Sequence, residues 1–284
     1  MRAMALVLLL LPLSGCFGLF EDDRVIPDEF PQTARLQPGS QLYFVDGSAA
    51  SQCTAGFLFR SPDNETLYLS TSAHCLRPAG TLQVGDPVYD RVPGLTTRAI
   101  GTVAYDGWAN GDQAIDRDFA LVAISNREGV REHTNPAVKS WGGPLGLADS
   151  ALAAPGQRVV AYGASSSRGA DHPDNPREGR LLAYDQSGLG LLGQGDALVV
   201  ASEKDTIPGD SGGPLMTWDG LALGILHGSN DVVVPVLIPQ GMAAFTPVDI
   251  NIQRARDAGV PVQLVTWPAF DGPGVPVAAT GAAS

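Results

Sequence analysis

The sequence carries little charge for its length. Only 17% of its 284 residues are charged, and 30 acidic residues against 18 basic ones give a formal net charge of −12 at pH 7. Phosphate contacts require clustered Lys and Arg, and no such cluster is present. A nucleic-acid partner is therefore excluded, whereas neutral or cationic partners are compatible with this charge.

Long apolar runs are also scarce. Residues 3–13 form an apolar run that is too short to span a bilayer and, following Met1 and Arg2, is typical of an export signal. The run ends in Leu13-Ser14-Gly15-Cys16, which resembles the lipobox of prokaryotic lipoproteins, whose cysteine is acylated. We therefore expect a signal peptide over residues 1–15 and an envelope protein anchored to a membrane through Cys16. An ordinary signal peptide, and hence a secreted protein, is the alternative.

Cysteine is rare, and the three cysteines leave one thiol without a disulfide partner. Acylation of Cys16 accounts for that thiol. Cys53 and Cys75 are then predicted to pair with each other in an oxidising compartment. Because a chain of this length can bury a full core, its stability requires no metal ion, and we expect neither a metal nor a cofactor.

Glycine and proline are plentiful, at 34 and 22 residues, which favours many short strands joined by turns and hence an all-β fold. Strand-like segments cover residues 41–45, 54–60, 66–71, 98–105, 119–124, 158–162, 180–184, 197–202, 214–218, 221–226 and 242–247. The predicted organisation is a tether over residues 16–39, a folded domain over 40–260 with lobes over about 40–140 and 150–247, a short helix over 248–258 and a disordered tail over 268–284.

The stretch Gly209-Asp210-Ser211-Gly212-Gly213-Pro214 places a serine in a glycine-rich turn. Glycines let backbone N–H groups converge on a bound carbonyl. Ser211 is therefore a candidate nucleophile, and the N–H groups of Gly209 and Ser211 are candidate oxyanion donors. An α/β-hydrolase elbow also carries Gly-x-Ser-x-Gly, but it requires Asp and then His downstream, and Asp219 before His227 lies in a hairpin-like turn. The elbow is therefore disfavoured.

Two upstream residues supply a base and a group to orient it. His74 follows the strand-like segment 66–71 and is the candidate general base. Asp118 opens an apolar strand, where a partly buried carboxylate can hold an imidazole tautomer. Asp116 is its only close rival and ranks below it.

Together, His74-Cys75, Asp118-Phe-Ala-Leu and Gly-Asp-Ser211-Gly-Gly-Pro resemble the chymotrypsin/trypsin-like serine peptidases in identity and order. The intervals, 44 residues from His74 to Asp118 and 93 from Asp118 to Ser211, are similar to those of the family. The resemblance covers roughly residues 40–260. It implies two six-stranded antiparallel β-barrels with a short C-terminal helix, and an active site in the cleft between them. It also implies a monomeric endopeptidase that acts on proteins or peptides.

The same resemblance implies which residues select the substrate. Asp205, six residues before Ser211, is expected at the base of the primary specificity pocket, where a carboxylate selects Arg or Lys. Thr206, His227 and Gly228 are expected to line this pocket. Glutamyl-specific relatives use Thr and His near these positions, but Asp205 would repel a glutamate side chain. A catalytically silent peptide-binding homologue is the other alternative.

Asp210 raises the question of activation. In animal members the corresponding carboxylate pairs with a new N-terminal amine. Cleavage after Arg24 would free Val25 and Ile26, but the following Pro27 departs from the usual continuation. Bacterial members often use an internal arginine instead, and the sequence leaves both routes open.

Overall fold

The computed structural model describes residues 36–46, 49–77, 82–90, 99–126, 130–167, 176–185, 196–202, 206–229 and 241–267. The predicted signal peptide, Cys16, most of the tether, Asp205 and the C-terminal tail lie outside these residues. The structure therefore bears on the folded domain.

The regular elements of the described residues are strands, a few short 3-10 turns and one α-helix. The strands are β1 Gln41–Asp46, β2 Ala49–Thr54, β3 Leu58–Arg60, β4 Leu67–Thr71, β5 Pro87–Tyr89, β6 Ala99–Asp106, β7 Ala120–Ile124, β8 Gly146–Leu147, β9 Arg158–Ala161, β10 Arg177–Asp185, β11 Ala197–Ser202, β12 Pro214–Thr217, β13 Leu221–Ser229, β14 Met242–Pro247 and β15 Gln263–Leu264, and the helix is α1 Val248–Asp257. The predicted all-β class with a short C-terminal helix is confirmed. Within the described part of the chain, no helix is both long and apolar enough to cross a bilayer.

The first sheet contains eight strands in the order β15-β3-β4-β7-β6-β5-β1-β2. In β1 the apolar residues Leu42 and Phe44 are buried and alternate with more exposed neighbours, as expected of a strand with one face on a core. β7 lies between β4 and β6 and is apolar along its length. This central strand begins directly after Asp118 and Phe119, which fixes the position of the carboxylate.

The second sheet contains seven strands in the order β12-β9-β10-β11-β14-β13-β8, and a further pairing of β12 with β13 closes six of them into a barrel. β8 pairs in parallel with β13 outside this ring. Six strands were predicted for each barrel. The closed ring of the second sheet has six, whereas the first sheet has eight because β15 joins its edge and residues 55–57 separate β2 from β3.

A buried apolar cluster lies between the two sheets. It draws on the first sheet, the second sheet and α1, and its members include Phe57, Phe59, Phe119, Leu121, Trp141, Tyr162, Met216, Ile225 and Ile252. After α1 the chain returns to the first sheet, where β15 pairs with β3. The residues that carry the site therefore sit on two sheets with a common core.

Candidate active site

His74 lies in a short 3-10 turn, Ala73–Leu76, that follows β4. The predicted disulfide between Cys53 and Cys75 is present and ties this turn to β2. The His74 N–H donates to Asp118 Oδ1 at 2.8 Å, and its Nδ1 lies 2.7 Å from Asp118 Oδ2. Backbone and imidazole are thus both held by one carboxylate.

Asp118 follows the 3-10 turn Ile115–Arg117, and its side chain has no solvent exposure. Burial by itself raises the pKa of Asp118, but the charges and hydrogen bonds of His74 and His227 lower that pKa well below its ordinary value. Burial likewise favours neutral His74, yet the charge and hydrogen bond of Asp118 outweigh burial and Arg77 and raise the pKa of His74. The carboxylate is therefore ionised, and the imidazole is a stronger base than usual.

The rival carboxylate, Asp116, is engaged elsewhere. It forms an ion pair with Arg254 of α1, which also donates to the Asp116 carbonyl. Asn251 of the same helix donates to that carbonyl at 2.9 Å. Asp116 therefore anchors the helix, and Asp118 is the carboxylate that contacts His74.

Ser211 lies in the turn before β12, packed against the first lobe. Thr54 N–H donates to the Ser211 carbonyl at 2.7 Å. A Cβ at Gly212 would lie 2.2 Å from Thr71 Oγ1, so this approach requires glycine. Because Thr71 ends the strand that leads to His74, this contact places the serine turn next to the end of that strand. Among the described residues no hydrogen bond joins the Ser211 hydroxyl to His74, and such bonds often tighten only when substrate binds.

The predicted oxyanion donors are the N–H groups of Gly209 and Ser211, and neither donates a hydrogen bond within the described residues. The buried Ser165 hydroxyl donates to the Pro208 carbonyl at 2.6 Å. Because C=O and N–H point in opposite directions across a trans peptide, this bond turns the Gly209 N–H away from Ser165. Thr54 Oγ1 holds the next carbonyl, that of Gly209, at 2.8 Å. Both peptides around Gly209 are thus fixed.

His227 makes a second contact with the buried carboxylate, because its Nδ1 lies 2.5 Å from Asp118 Oδ2. His227 stands in β13 at a register shift between Leu226 and Gly228. Such a bulge reorients a side chain. Its ring meets that of His74 edge-on, with centroids 5.8 Å apart. The structure therefore places the His227 side chain against Asp118, whereas the sequence predicted that His227 lines the substrate pocket.

Trp108 packs beside both imidazoles. Its ring centroid is 6.2 Å from that of His74 and 6.3 Å from that of His227. Arg77 stacks over the same indole at 5.4 Å and forms an ion pair with Asp106 at 2.7 Å. An apolar ring thus borders the carboxylate and its two histidines.

Asp210, next to the candidate nucleophile, forms a buried ion pair. Its Oδ2 lies 3.0 Å from Arg177 Nη1, and the two side chains are 0% and 1% exposed. The N–H groups of Ser165 and Ile207 each donate to the Asp210 carboxylate at 3.1 Å. Of the two routes that the sequence left open, this is the internal-arginine arrangement.

His74, Asp118 and His227 also offer one metal-ligand atom each within 4.8 Å of one another. Two ligands of a tetrahedral zinc ion lie roughly 3.3 Å apart, whereas the two Nδ1–Oδ2 distances are 2.7 and 2.5 Å. The spacing fits hydrogen bonds better than a shared ion. His74 is also close to the sulfurs of Cys53 and Cys75, but these form a disulfide.

Comparison with protein families shows to which family the chain belongs. The family model described as trypsin-like peptidase domain matches residues 54–225, more than half of the chain, including His74, Asp118 and Ser211. The chain belongs to this family. It is thus a trypsin-like, serine-type peptidase by descent, although no curated protein is significantly similar to it.

Solved structures with the trypsin-like fold match the chain at low identity. A variant of the HtrA-type protease AlgW with a tripeptide has a TM-score of 0.52 and 19% identity over 80% of this chain, which spans only 61% of that chain. An alpha-lytic protease homolog has a TM-score of 0.50 and 20% identity over 79% and 97%. Nocardiopsis protease has a TM-score of 0.50 and 18% identity over 80% and 98%. At these identities the likeness establishes the fold.

Two of the four expected pocket residues of this trypsin-like peptidase, Gly228 and Thr206, are buried in the second lobe. Gly228 is buried on β13 and pairs with Ala244. Thr206 is buried beside a small cavity inside the second barrel. That cavity is lined by Val159, Ala161, Arg177, Gly179, Val200, Ser202, Thr206, Ala243 and Phe245. Asp205 lies outside the described residues, so its role stays a prediction.

Sequence reasoning did not find Ser165, Arg177 or Trp108. Arg177 follows a polar stretch that is typical of an exposed loop, and its partner Asp210 is distant in the sequence. The available signal was Asp210 itself, because a buried carboxylate requires a positive partner and the second lobe has few basic residues. For Ser165 and Trp108 no comparable signal exists.

Proposed function

We propose that the protein is an active serine endopeptidase that hydrolyses peptide bonds through an acyl-enzyme on Ser211. The observation that supports this proposal is the buried Asp118 carboxylate against His74, beside the turn that carries Ser211. The N–H groups of Gly209 and Ser211, which donate no hydrogen bond within the described residues, add the oxyanion donors. Nucleophile, base, orienting group and donors are then all supplied by this chain.

The proposed mechanism follows from the hydrogen-bonding capacity of each group. An ionised carboxylate only accepts, so Nδ1 of His74 carries the proton and its Nε2 has the free lone pair. Nε2 takes the Ser211 proton as Oγ attacks the scissile carbonyl, and then gives it to the leaving amine. Asp118 stabilises the imidazolium, and each oxyanion donor contributes about 3 kcal/mol. Water then hydrolyses the acyl-enzyme by the same steps.

A fluorophosphonate probe tests this function directly. We expect it to label Ser211 in the wild-type protein and to leave Ser211→Ala unlabelled. Labelling should coincide with loss of hydrolysis of a denatured protein substrate. A folded wild-type protein that is neither labelled nor active would instead support a silent, peptide-binding homologue.

We further propose cleavage after Arg or Lys, selected by Asp205. The sequence position of this carboxylate supports the proposal, and so does the engagement of His227 with Asp118, which withdraws it from binding a glutamate side chain. Peptides that differ only in Arg, Lys, Glu or Phe before the cut provide the test. Arg preference that persists in Asp205→Ser, or preference for Glu, would contradict it.

We also propose that the protein is a monomer held at a membrane of the cell envelope by acylation of Cys16. The lipobox-like residues 13–16 support the anchor. Radiolabelled fatty acid should be incorporated into the wild type and not into Cys16→Ser, which should become soluble in the extracytoplasmic fraction. Equal fractionation of both proteins would argue for ordinary secretion.

A further inference from the structure

Ser72 precedes the 3-10 turn that carries His74, and its side chain is fully buried. A serine at this N-cap position usually accepts a hydrogen bond from an N–H of its own turn. Here those N–H groups have other acceptors, because His74 N–H donates to Asp118 Oδ1 at 2.8 Å and Cys75 N–H donates to the Ser72 carbonyl at 3.2 Å. The Ser72 hydroxyl therefore forms no cap and is available for a contact outside its turn.

That contact crosses to the second lobe. Ser72 Oγ donates to the carbonyl of Leu226 in β13 at 2.6 Å, across 154 positions of the sequence. The same carbonyl accepts the N–H of Gly212 at 2.8 Å. A carbonyl oxygen has two lone pairs, so these two donors use its full capacity. Because one donor lies two residues before His74 and the other directly after Ser211, this oxygen joins the turn of the base to the serine turn.

Close packing surrounds this junction. A Cβ at Gly212 would lie 3.0 Å from Ser72 N and 2.2 Å from Thr71 Oγ1. The Thr71 hydroxyl is used within the first lobe, where it donates to the Thr54 carbonyl at 3.0 Å. Of these two adjacent hydroxyls, that of Ser72 therefore makes the bond between the lobes.

We infer that Ser72 is a positioning residue, whose hydroxyl sets the approach of His74 to Ser211 through the Leu226 carbonyl. This inference deepens the proposed peptidase function and rests on it. The hydroxyl donates to a backbone carbonyl and not to a reacting group. It acts through the two turns that this carbonyl joins.

The base and the nucleophile lie on different lobes, so their separation depends on contacts between the lobes. Proton transfer requires Nε2 of His74 to come within about 2.6–3.2 Å of Ser211 Oγ. A misplacement of about 1 Å can lower a rate roughly a hundredfold. Thr54 N–H holds the Ser211 carbonyl from β2, and Ser72 adds a bond on the side of the base. Removing the Ser72 hydroxyl should loosen the approach while leaving the Thr54 contact in place.

Ser72→Ala tests this role because it removes the hydroxyl with little change in volume. We expect the rate constant for labelling by the fluorophosphonate probe, and kcat for a peptide substrate, to fall roughly tenfold with little change in KM. Ser150→Ala is the matched control and should keep the wild-type rates. Ser150 is 1% exposed, and its hydroxyl bonds to Asp249 of α1 and Tyr184 of β10. Labelling of Ser72→Ala at the wild-type rate, or a raised KM with unchanged kcat, would overturn the inference.

Proton NMR distinguishes a displaced base from a disrupted one. The contact of His74 with Asp118 lies within the first lobe, so the low-field Nδ1–H resonance of His74 should persist in Ser72→Ala. Its absence from His74→Ala identifies this resonance. Loss of the resonance in Ser72→Ala would show that the substitution disrupts the base itself, and it would overturn a role in positioning.

The carbon-13 shift of the Leu226 carbonyl tests the contact without requiring activity. A carbonyl carbon resonates at lower field when its oxygen accepts hydrogen bonds, so this signal should move to higher field in Ser72→Ala and not in Ser150→Ala. An unmoved signal would overturn the inference. If the signal moves but the wild-type protein resists the fluorophosphonate probe, the proposed peptidase function fails, and the positioning role fails with it, while the contact between the lobes stands.

Discussion

The Asp118 carboxylate accepts three hydrogen bonds, from the N–H and Nδ1 of His74 and from Nδ1 of His227. A buried ion is stable only when its lone pairs are used in this way. The lowered pKa of Asp118 and the raised pKa of His74 are two results of one interaction. Because the pKa of His74 is raised, the base becomes protonated, and activity is lost, as the pH falls through that higher value.

We expect Asp118→Asn to lower kcat roughly ten-thousandfold, since an amide favours the wrong tautomer of His74. Loss of the negative charge also lowers the pKa of His74, so an NMR titration should show protonation at lower pH than in the wild type. Asp116→Asn is the control, because Asp116 pairs with Arg254, and it should leave the His74 titration in place. An unchanged His74 titration in Asp118→Asn would contradict this interpretation.

At the scale of elements, the serine turn belongs to the second lobe and is held by one group from each lobe. Ser165 fixes the peptide before Gly209, and Thr54 of β2 fixes the peptide after it. The Gly209 N–H, one of the two oxyanion donors, is thus oriented before substrate arrives. Such preorganisation is what makes fixed donors effective in a transition state.

Ser165→Ala should lower kcat about tenfold, because the Pro208–Gly209 peptide loses the hydrogen bond that orients its N–H. KM should change much less, since the donor acts chiefly on the developing oxyanion. Steady-state kinetics on a peptide substrate measures both. Ser166→Ala is the matched control, because Ser166 contacts Gln52 through its backbone N–H. Equal kcat in the two variants would count against the role of Ser165.

The disulfide is a second link between elements, since it joins β2 to the turn of His74 across 22 positions. We expect the double variant Cys53→Ser, Cys75→Ser to lose about 3 kcal/mol of the free energy of unfolding on the chain-entropy estimate. Urea denaturation of the double variant and of the oxidised wild type gives the difference, and the reduced wild type, which also lacks the cross-link, is the control. A double variant as stable as the oxidised wild type would rule out a stabilising disulfide.

The strands also show where sequence patterns are sufficient to predict secondary structure. The apolar segments 197–202 and 242–247 predicted β11 and β14 with the ends that the structure has. β5, β8 and β15 have two or three residues each, too few for a periodic signal, and were not predicted. The six-residue β2, whose sequence Ala-Ala-Ser-Gln-Cys-Thr is weakly apolar, was also missed except for Thr54. Pattern reasoning therefore finds the strongly apolar strands and misses those that are short or polar.

At the scale of the whole molecule, the Arg177–Asp210 ion pair removes the need for a new N-terminus. We expect a protein with an uncleavable N-terminal extension to be as active as one that begins at Val25. Arg177→Met should lose activity and about 3–5 kcal/mol of stability, since a buried charge is left unpaired. Arg158→Met removes a partly exposed pair and is the control. Greater activity of the form beginning at Val25 would point to N-terminal activation instead.

The site itself was only partly predictable. His74, Asp118 and Ser211 lie in short motifs whose residue types match their chemistry. The contact of His227 with Asp118 spans 109 positions and depends on a bulge in β13. Neither the separation nor the bulge leaves a periodic trace in the sequence, so this contact required the folded structure.

The C-terminal segment after α1 leaves the second barrel and returns to the first sheet. β15 pairs with β3, Val265 N–H donates to the Leu58 carbonyl, and Trp267 N–H donates to the Pro144 carbonyl. The segment after α1 thereby bonds both to the first sheet and to Pro144, in the stretch that leads into the second lobe. The separation between a base on one half and a hydroxyl on the other therefore depends in part on backbone bonds far from either group.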